Sequence, residues 1–176
     1  MPSRTHRKIR KILRKLKSAL SQPLRVKNVH AFYRLSDGSY DKSKPPYINN
    51  ENCLRNFVQQ FGEERIYLIA DNVKDSTWNL IRSTYPAMRC ERTALGNGAA
   101  SFNLALDLAL KLSSNDGIYF VEDDYLHQLD AVNEMILAYE RISSQLNREL
   151  ILCPADYPYL YTKIDATNIF LGANKH

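Results

Sequence analysis

Cysteine is scarce in this chain. The three present, Cys53, Cys90 and Cys153, are odd in number and widely spaced. No disulfide framework and no pair with metal-ligand spacing can be drawn from them, and the pattern suits a reducing compartment with buried thiols. Long apolar runs are missing as well. No stretch reaches the roughly 18 consecutive apolar residues that a membrane-spanning helix needs. The N-terminus is basic but lacks the apolar core of a signal peptide. Acids are absent from the first 27 residues, which hold ten Lys or Arg. The rest of the chain holds fourteen Lys or Arg against nineteen acids. The overall charge of +5 therefore belongs to an N-terminal arm, and the body is acidic.

What is present suffices for one ordinary domain. In 176 residues, 44% are hydrophobic, enough to bury a core. The chain divides on composition into an arm, 1–25, and a body, 26–176. Within the arm, Arg4 to Leu20 has helical periodicity. Ile9, Ile12, Leu13, Leu16, Ala19 and Leu20 fall within an arc of roughly 120° on a helical projection. Arg7, Lys8, Arg10, Lys11, Arg14, Lys15 and Lys17 cover most of the remainder, and Pro23 lies at or just past the end. A basic amphipathic helix of this kind suits an anionic membrane surface or a docking partner. Packing on the body as an ordinary surface helix stays open. Binding of nucleic acid through phosphates is the weakest of the three, because no aromatic residue is interleaved with the charges.

The body alternates strands and helices. A strand is expected over Val26 to Arg34, then a loop over 36–50 containing Ser36-Asp37-Gly38-Ser39 and Pro45-Pro46. A helix is expected from Glu51 to about Phe61, with Asn50 as N-cap, Gly62 as stop, and Leu54, Phe57, Val58 and Phe61 facing inward. A second strand runs from Arg65 to Ala70 and ends at Asp71. Next comes a helix over Asp75 to Thr84, with Trp78, Leu80 and Ile81 as its apolar contacts. A short third strand is placed at Ala87 to Arg92. Gly96-Asn97-Gly98 opens a helix from about Ala99 to Leu112, and a fourth strand follows over residues 117–122. A helix from about Asp130 to Leu146, a strand over Glu149 to Cys153, and a last strand at Ile169-Phe170-Leu171 complete the order. Such alternation predicts an α/β fold: a mostly parallel, Rossmann-like sheet covered by helices on both faces.

The fourth strand is the chemically distinctive one. Gly117-Ile118-Tyr119-Phe120-Val121 runs directly into Glu122-Asp123-Asp124. Three adjacent carboxylates repel one another unless a cation lies among them. Hard divalent ions such as Mg²⁺ or Mn²⁺ take one or two carboxylates together with substrate phosphates. In open α/β sheets, ligands bind beyond the carboxyl ends of the strands. Two readings stand side by side: a metal–phosphate site, and a solvated acidic loop. Arg34 at the first strand end, Asp71 at the second, and the Gly96-Asn97-Gly98 helix opening, whose amides favour an anion, fall on the same sheet edge. Each alone reads as an ordinary surface charge, cap or turn.

These residues resemble the nucleotide-sugar-dependent glycosyltransferases of the GT-A fold. The resemblance is carried by Asp71, the Gly98-to-Asn103 helix opening, and Tyr119-Phe120-Val121-Glu122-Asp123-Asp124 as a DxD-type motif, over residues 26–153. It implies a UDP-sugar donor and a metal-dependent, inverting transfer to a glycan or lipid-linked acceptor. It implies that Asp71 accepts a hydrogen bond from the nucleobase and that Arg34 contacts the nucleotide. Glu122 or Asp123 would contact the ribose or a metal-bound water, and Asp124 would hold Mn²⁺ or Mg²⁺ against the diphosphate. Together with the arm, it implies an enzyme of the cytoplasm, peripheral to the membrane.

The chain departs from the family pattern in two places. Phe102 stands where many members carry an Arg facing the diphosphate, leaving Arg92 as the alternative cation. Only 52 residues follow Asp124, so the acceptor-binding half is expected to be short or missing. No catalytic base can be assigned. Asp156 and Asp165 are the available carboxylates in the tail, and both also read as turn residues. His127 could extend the metal site or lie on the surface at a helix entrance. A nucleotidyltransferase is disfavoured by the single glycine, Gly38, in the loop after the first strand, and a phosphoacceptor domain by acids on the wrong strand. A catalytically incomplete α/β module that binds nucleotide or membrane is the remaining alternative.

Overall fold

A computed structural model describes residues 25–38 and 44–154. The chain divides into two compact units, one of them Val26–Val132. That unit holds β1 (Val29–Leu35), α1 (Asn50–Phe61), β2 (Ile66–Asp71), α2 (Asp75–Thr84), β3 (Arg89–Thr93), α3 (Gly98–Ala109) and β4 (Gly117–Glu122). Of the other unit, the described part is α4 (Ala131–Leu146) from Asn133 onward and the segment to residue 154. The basic stretch 4–20 and the expected strand at Ile169-Phe170-Leu171 lie outside the described residues.

The four strands form one parallel sheet in the order β3-β2-β1-β4. This is the expected α/β, Rossmann-like arrangement. The chain steps outward from β1 to β2 to β3, then crosses back to place β4 on the other side of β1. The reversal makes the gap between the carboxyl ends of β1 and β4 the topological switch point, where such sheets bind ligands. The register pairs Arg34 with Glu122 across that gap and Asp71 with Thr93 on the other flank.

Strand pleating sends alternate side chains to opposite faces. Phe32, Ile69, Tyr67 and Phe120 turn to one face and pack on Ala105, Leu104 and Leu108 of α3. Tyr33 and Tyr119 turn to the other and meet Phe57 and Phe61 of α1, with Tyr33–Phe57 centroids 5.0 Å apart. Phe57, Tyr33 and Phe32 are wholly buried. Each aromatic side chain this size removes a large apolar area from water, so this sandwich of rings around β1 carries much of the core.

Local signals set the helix ends. Asn49, not Asn50, caps α1: its side chain accepts from the Asn52 amide at 2.9 Å. The two asparagines are equivalent by type, and the backbone decides between them: Asn49 is extended, while Asn50 is already helical. Gly62 stops α1 with φ 78°, a left-handed conformation that favours glycine. Helix α3 ends at Ala109, not Leu112. There the amides of Lys111 and Leu112 tighten onto the carbonyls of Leu108 and Ala109, a common way for a helix to finish. Leu80 on α2 is exposed instead of packed, and Ile81 makes the contact.

The expected strand at Glu149 to Cys153 does not form; these residues have no regular structure. An apolar run becomes a strand only with a ladder partner, and none of the described strands pairs with it. Only one of the three thiols, Cys53, is buried, and Cys153 is exposed.

Candidate functional site at the switch point

The three acids after β4 do not act as one cluster. The pleat separates them, and each meets a different partner. Glu122 turns to the α3 face and pairs with Arg34. The Arg34 guanidinium also donates to Ser101 Oγ at 3.1 Å and to the Gly98 carbonyl, both in the first turn of α3. Its plane lies over the Phe102 ring, 5.3 Å from Cζ to the centroid. That turn is held in place by Asn97, whose side chain accepts from the Ala100 amide at 2.7 Å. A fixed guanidinium beside a helix N-terminus is a natural seat for an anion.

Asp123 turns to the opposite face and is 8% exposed. Its Oδ2 accepts from the Ser36 amide at 2.9 Å. Burial raises its pKa above the usual carboxylate range, the Ser36 amide and Lys44 pull it back, and Asp124 and Glu122 push it further up. Asp124 is part-exposed and pairs with Lys44 at 3.2 Å.

Asp71 is buried at the end of β2. Its Oδ1 accepts from the Leu95 amide at 2.6 Å and from the Thr93 hydroxyl at 3.0 Å. It thereby ties the β3–α3 connection to the sheet edge and so fixes where α3 begins. Asp37 does the same for the loop after β1, accepting from the Lys74 amide at 2.7 Å and from Asn50.

Arg92 is committed elsewhere. It donates to the Val73 carbonyl at 2.9 Å and to Asp75 at 2.7 Å, on β3 at the outer edge of the sheet. His127 packs among Phe57, Phe61 and Tyr119, with Nε2 2.9 Å from the Tyr119 hydroxyl. Burial lowers its pKa to about 4, so near neutral pH it is an uncharged member of an aromatic cluster. Asp156 and Asp165 lie outside the described residues.

Two site residues, Lys44 and Ser101, were not singled out from sequence, and neither was the contact of Phe102 with Arg34. Lys44 sits in a loop without periodicity, and only its proximity to Asp124 marks it. Ser101 is one of several small residues on α3. Phe102 reads as a core residue by helical spacing, yet it also faces Arg34. No sequence pattern marks these contacts, which are made across 67 to 80 residues of chain.

Among the described residues, no three His, Cys, Asp or Glu side chains gather to hold an ion by themselves. The available donor is the Asp124 carboxylate, a hard oxygen ligand of the kind Mg²⁺ and Mn²⁺ prefer. Those ions commonly take one or two carboxylates and fill the remaining positions with phosphate and water, so Asp124 fits a metal that arrives with a phosphate ligand. No described helix is long and apolar enough to cross a membrane. No family model, no curated protein and no solved structure matches the chain.

Proposed function

We propose that the chain binds a nucleoside diphosphate sugar at the switch point between β1 and β4 and serves as a metal-dependent glycosyltransferase. UDP-sugar is the donor, and a glycan or lipid-linked molecule is the acceptor. The observation that carries this reading is the fixed position of Arg34 between Glu122 and the first turn of α3. A diphosphate placed there would displace Glu122 from the guanidinium fork and meet the amides at the start of α3 as well. Negative charge develops on the diphosphate as the glycosidic bond breaks, and prepositioned donors stabilise such charge without reorganising. Mn²⁺ or Mg²⁺ held through Asp124 would add Lewis-acid neutralisation of the same leaving group. Asp123, turned to the other side of the sheet edge, would contact ribose or acceptor hydroxyls. Arg34 fills the role left open by Phe102, and Phe102 orients it.

The basic stretch 4–20 would draw the domain to an anionic membrane, where lipid-linked acceptors are found. Replacing its Lys and Arg with Gln should abolish flotation with anionic liposomes; unchanged flotation removes the membrane part of the reading.

A second reading, a binding module without turnover, is favoured by the fact that Glu122, Asp123 and Asp124 each already have a partner within the fold. Calorimetric titration with UDP, with and without Mn²⁺, tests the reading on the full chain and on Asp124→Ala. UDP binding should strengthen with Mn²⁺ in the first and lose that dependence in the second. Weak, metal-indifferent binding in both chains refutes a metal-assisted donor site.

A further inference from the structure

On the face of the sheet opposite Arg34, α1 and α2 stand apart and leave a cleft of about 510 Å³. This lies within the usual size range of small-ligand sites. Its floor is aliphatic: Leu35 at the end of β1, Ile48, Leu54 of α1 and Ile81 of α2, with the exposed Leu80 at the rim. Its inner end is Asp123. The cations that line it are neutralised, Lys44 by Asp124 and Arg55 by Glu51, so the cleft has no spare positive charge for a phosphate. It does have unused polar groups. Asp123 Oδ1 and the hydroxyls of Thr84 and Tyr85 make no hydrogen bond among the described residues.

We propose that this cleft is the acceptor site and that it takes an alkyl-linked sugar, with the aliphatic body on the Leu54–Ile81 floor beneath Leu80 and sugar hydroxyls at the Asp123 end. The proposal rests on the glycosyltransferase reading. It gives that reading a geometric form. Glu122 and Asp123 are adjacent in sequence but face opposite sides of the sheet, so donor and acceptor approach the β1–β4 switch point from opposite faces. The acceptor is recognised by an aliphatic surface, the Asp123 carboxylate and neighbouring hydroxyls, and the donor by positive charge.

The test uses the full chain and octyl β-D-glucoside below its micelle-forming concentration, with methyl β-D-glucoside as the probe lacking the aliphatic body. Trp78, the only tryptophan, lies on α2 beside Thr77 of the cleft wall and reports binding by fluorescence; calorimetry provides the affinity. Octyl glucoside should bind at least tenfold tighter than methyl glucoside. Leu80→Arg and Thr84→Arg both replace exposed residues of the cleft rim and should each weaken octyl glucoside at least tenfold while leaving UDP affinity unchanged. Circular dichroism verifies that both variants fold. No binding by the unaltered chain, equal binding of the two glucosides, or octyl glucoside affinity in both variants equal to that of the unaltered chain overturns the proposal. If octyl glucoside binding depends on Leu80 but the chain ignores UDP, the glycosyltransferase reading fails and the cleft remains a ligand site of other purpose.

Discussion

Arg34 lies over the ring of Phe102, with Cζ 5.3 Å from the centroid, while its nitrogens reach Glu122, Ser101 and the Gly98 carbonyl. Phe102 in turn meets Phe120 edge-on at 5.1 Å, so the core holds the ring that holds the guanidinium. Arg34→Ala should lower UDP affinity by ten- to a hundredfold, the effect of losing a charge-assisted pair worth about 1.5–3 kcal/mol. Arg34→Lys should recover little, because an ammonium lacks the planar fork. Calorimetry with UDP measures both; full affinity in Arg34→Ala would place the diphosphate elsewhere.

The two asparagines at the start of α1 should behave differently. Asn49→Ala removes the cap and should cost about 1 kcal/mol, with faster hydrogen exchange at the Asn52 amide. Asn50→Ala instead releases the side-chain bonds to Ser36 and Asp37. It should loosen the loop after β1 while leaving the Asn52 amide protected. Equal exchange at Asn52 in both variants would contradict the cap assignment.

His127 gives stability a defined acid limb. Its folded pKa, about 4, lies below its ordinary 6.5. Between these values the unfolded chain binds more protons than the folded one, so stability is lost as pH falls through the window. The slope from this group is at most about 1.4 kcal/mol per pH unit. Asp123 acts with the opposite sign: its raised pKa means that the folded chain holds this proton more tightly than the unfolded chain, which softens the loss. Urea melts of the unaltered chain and of His127→Gln between pH 4 and 7 separate the two. The variant should be less stable near neutrality and show a flatter profile below pH 6.5; identical profiles would show that His127 is not the group responsible.

Phe57 touches Tyr33, Phe61, Tyr119 and His127 and is wholly buried. Phe57→Ala should cost about 3–5 kcal/mol, the range for emptying an aromatic site in a packed core. Phe57→Leu should cost less, because it leaves a smaller void. Denaturant midpoints measure both. A loss under about 1 kcal/mol for the alanine variant would mean that the cluster collapses around the gap.

The architecture is legible in the chain because its determinants are local. The apolar runs Ile66–Ala70 and Gly117–Val121, the helical stripe on α1 and the stop at Gly62 each specify an element within a few residues. Their alternation then leaves a parallel sheet as the way to bury them. The strand expected at Glu149 to Cys153 shows the limit of this reasoning. Its run has the right composition, but a strand needs a partner, and composition does not supply one. The cap at Asn49 shows the same limit at smaller scale, since two adjacent asparagines differ only in backbone conformation.

Periodicity alone places carboxylates at the end of β4, on the same edge as Arg34 and Asp71, because it sets where strands end. Their partners are set by the packed fold. Pleating and register send Glu122 to Arg34 and Asp123 to Ser36 and the cleft, leave Asp124 with Lys44, and turn Asp71 inward to anchor the start of α3. Those partners come from distant parts of the chain, and their choice depends on which face of the sheet each side chain occupies.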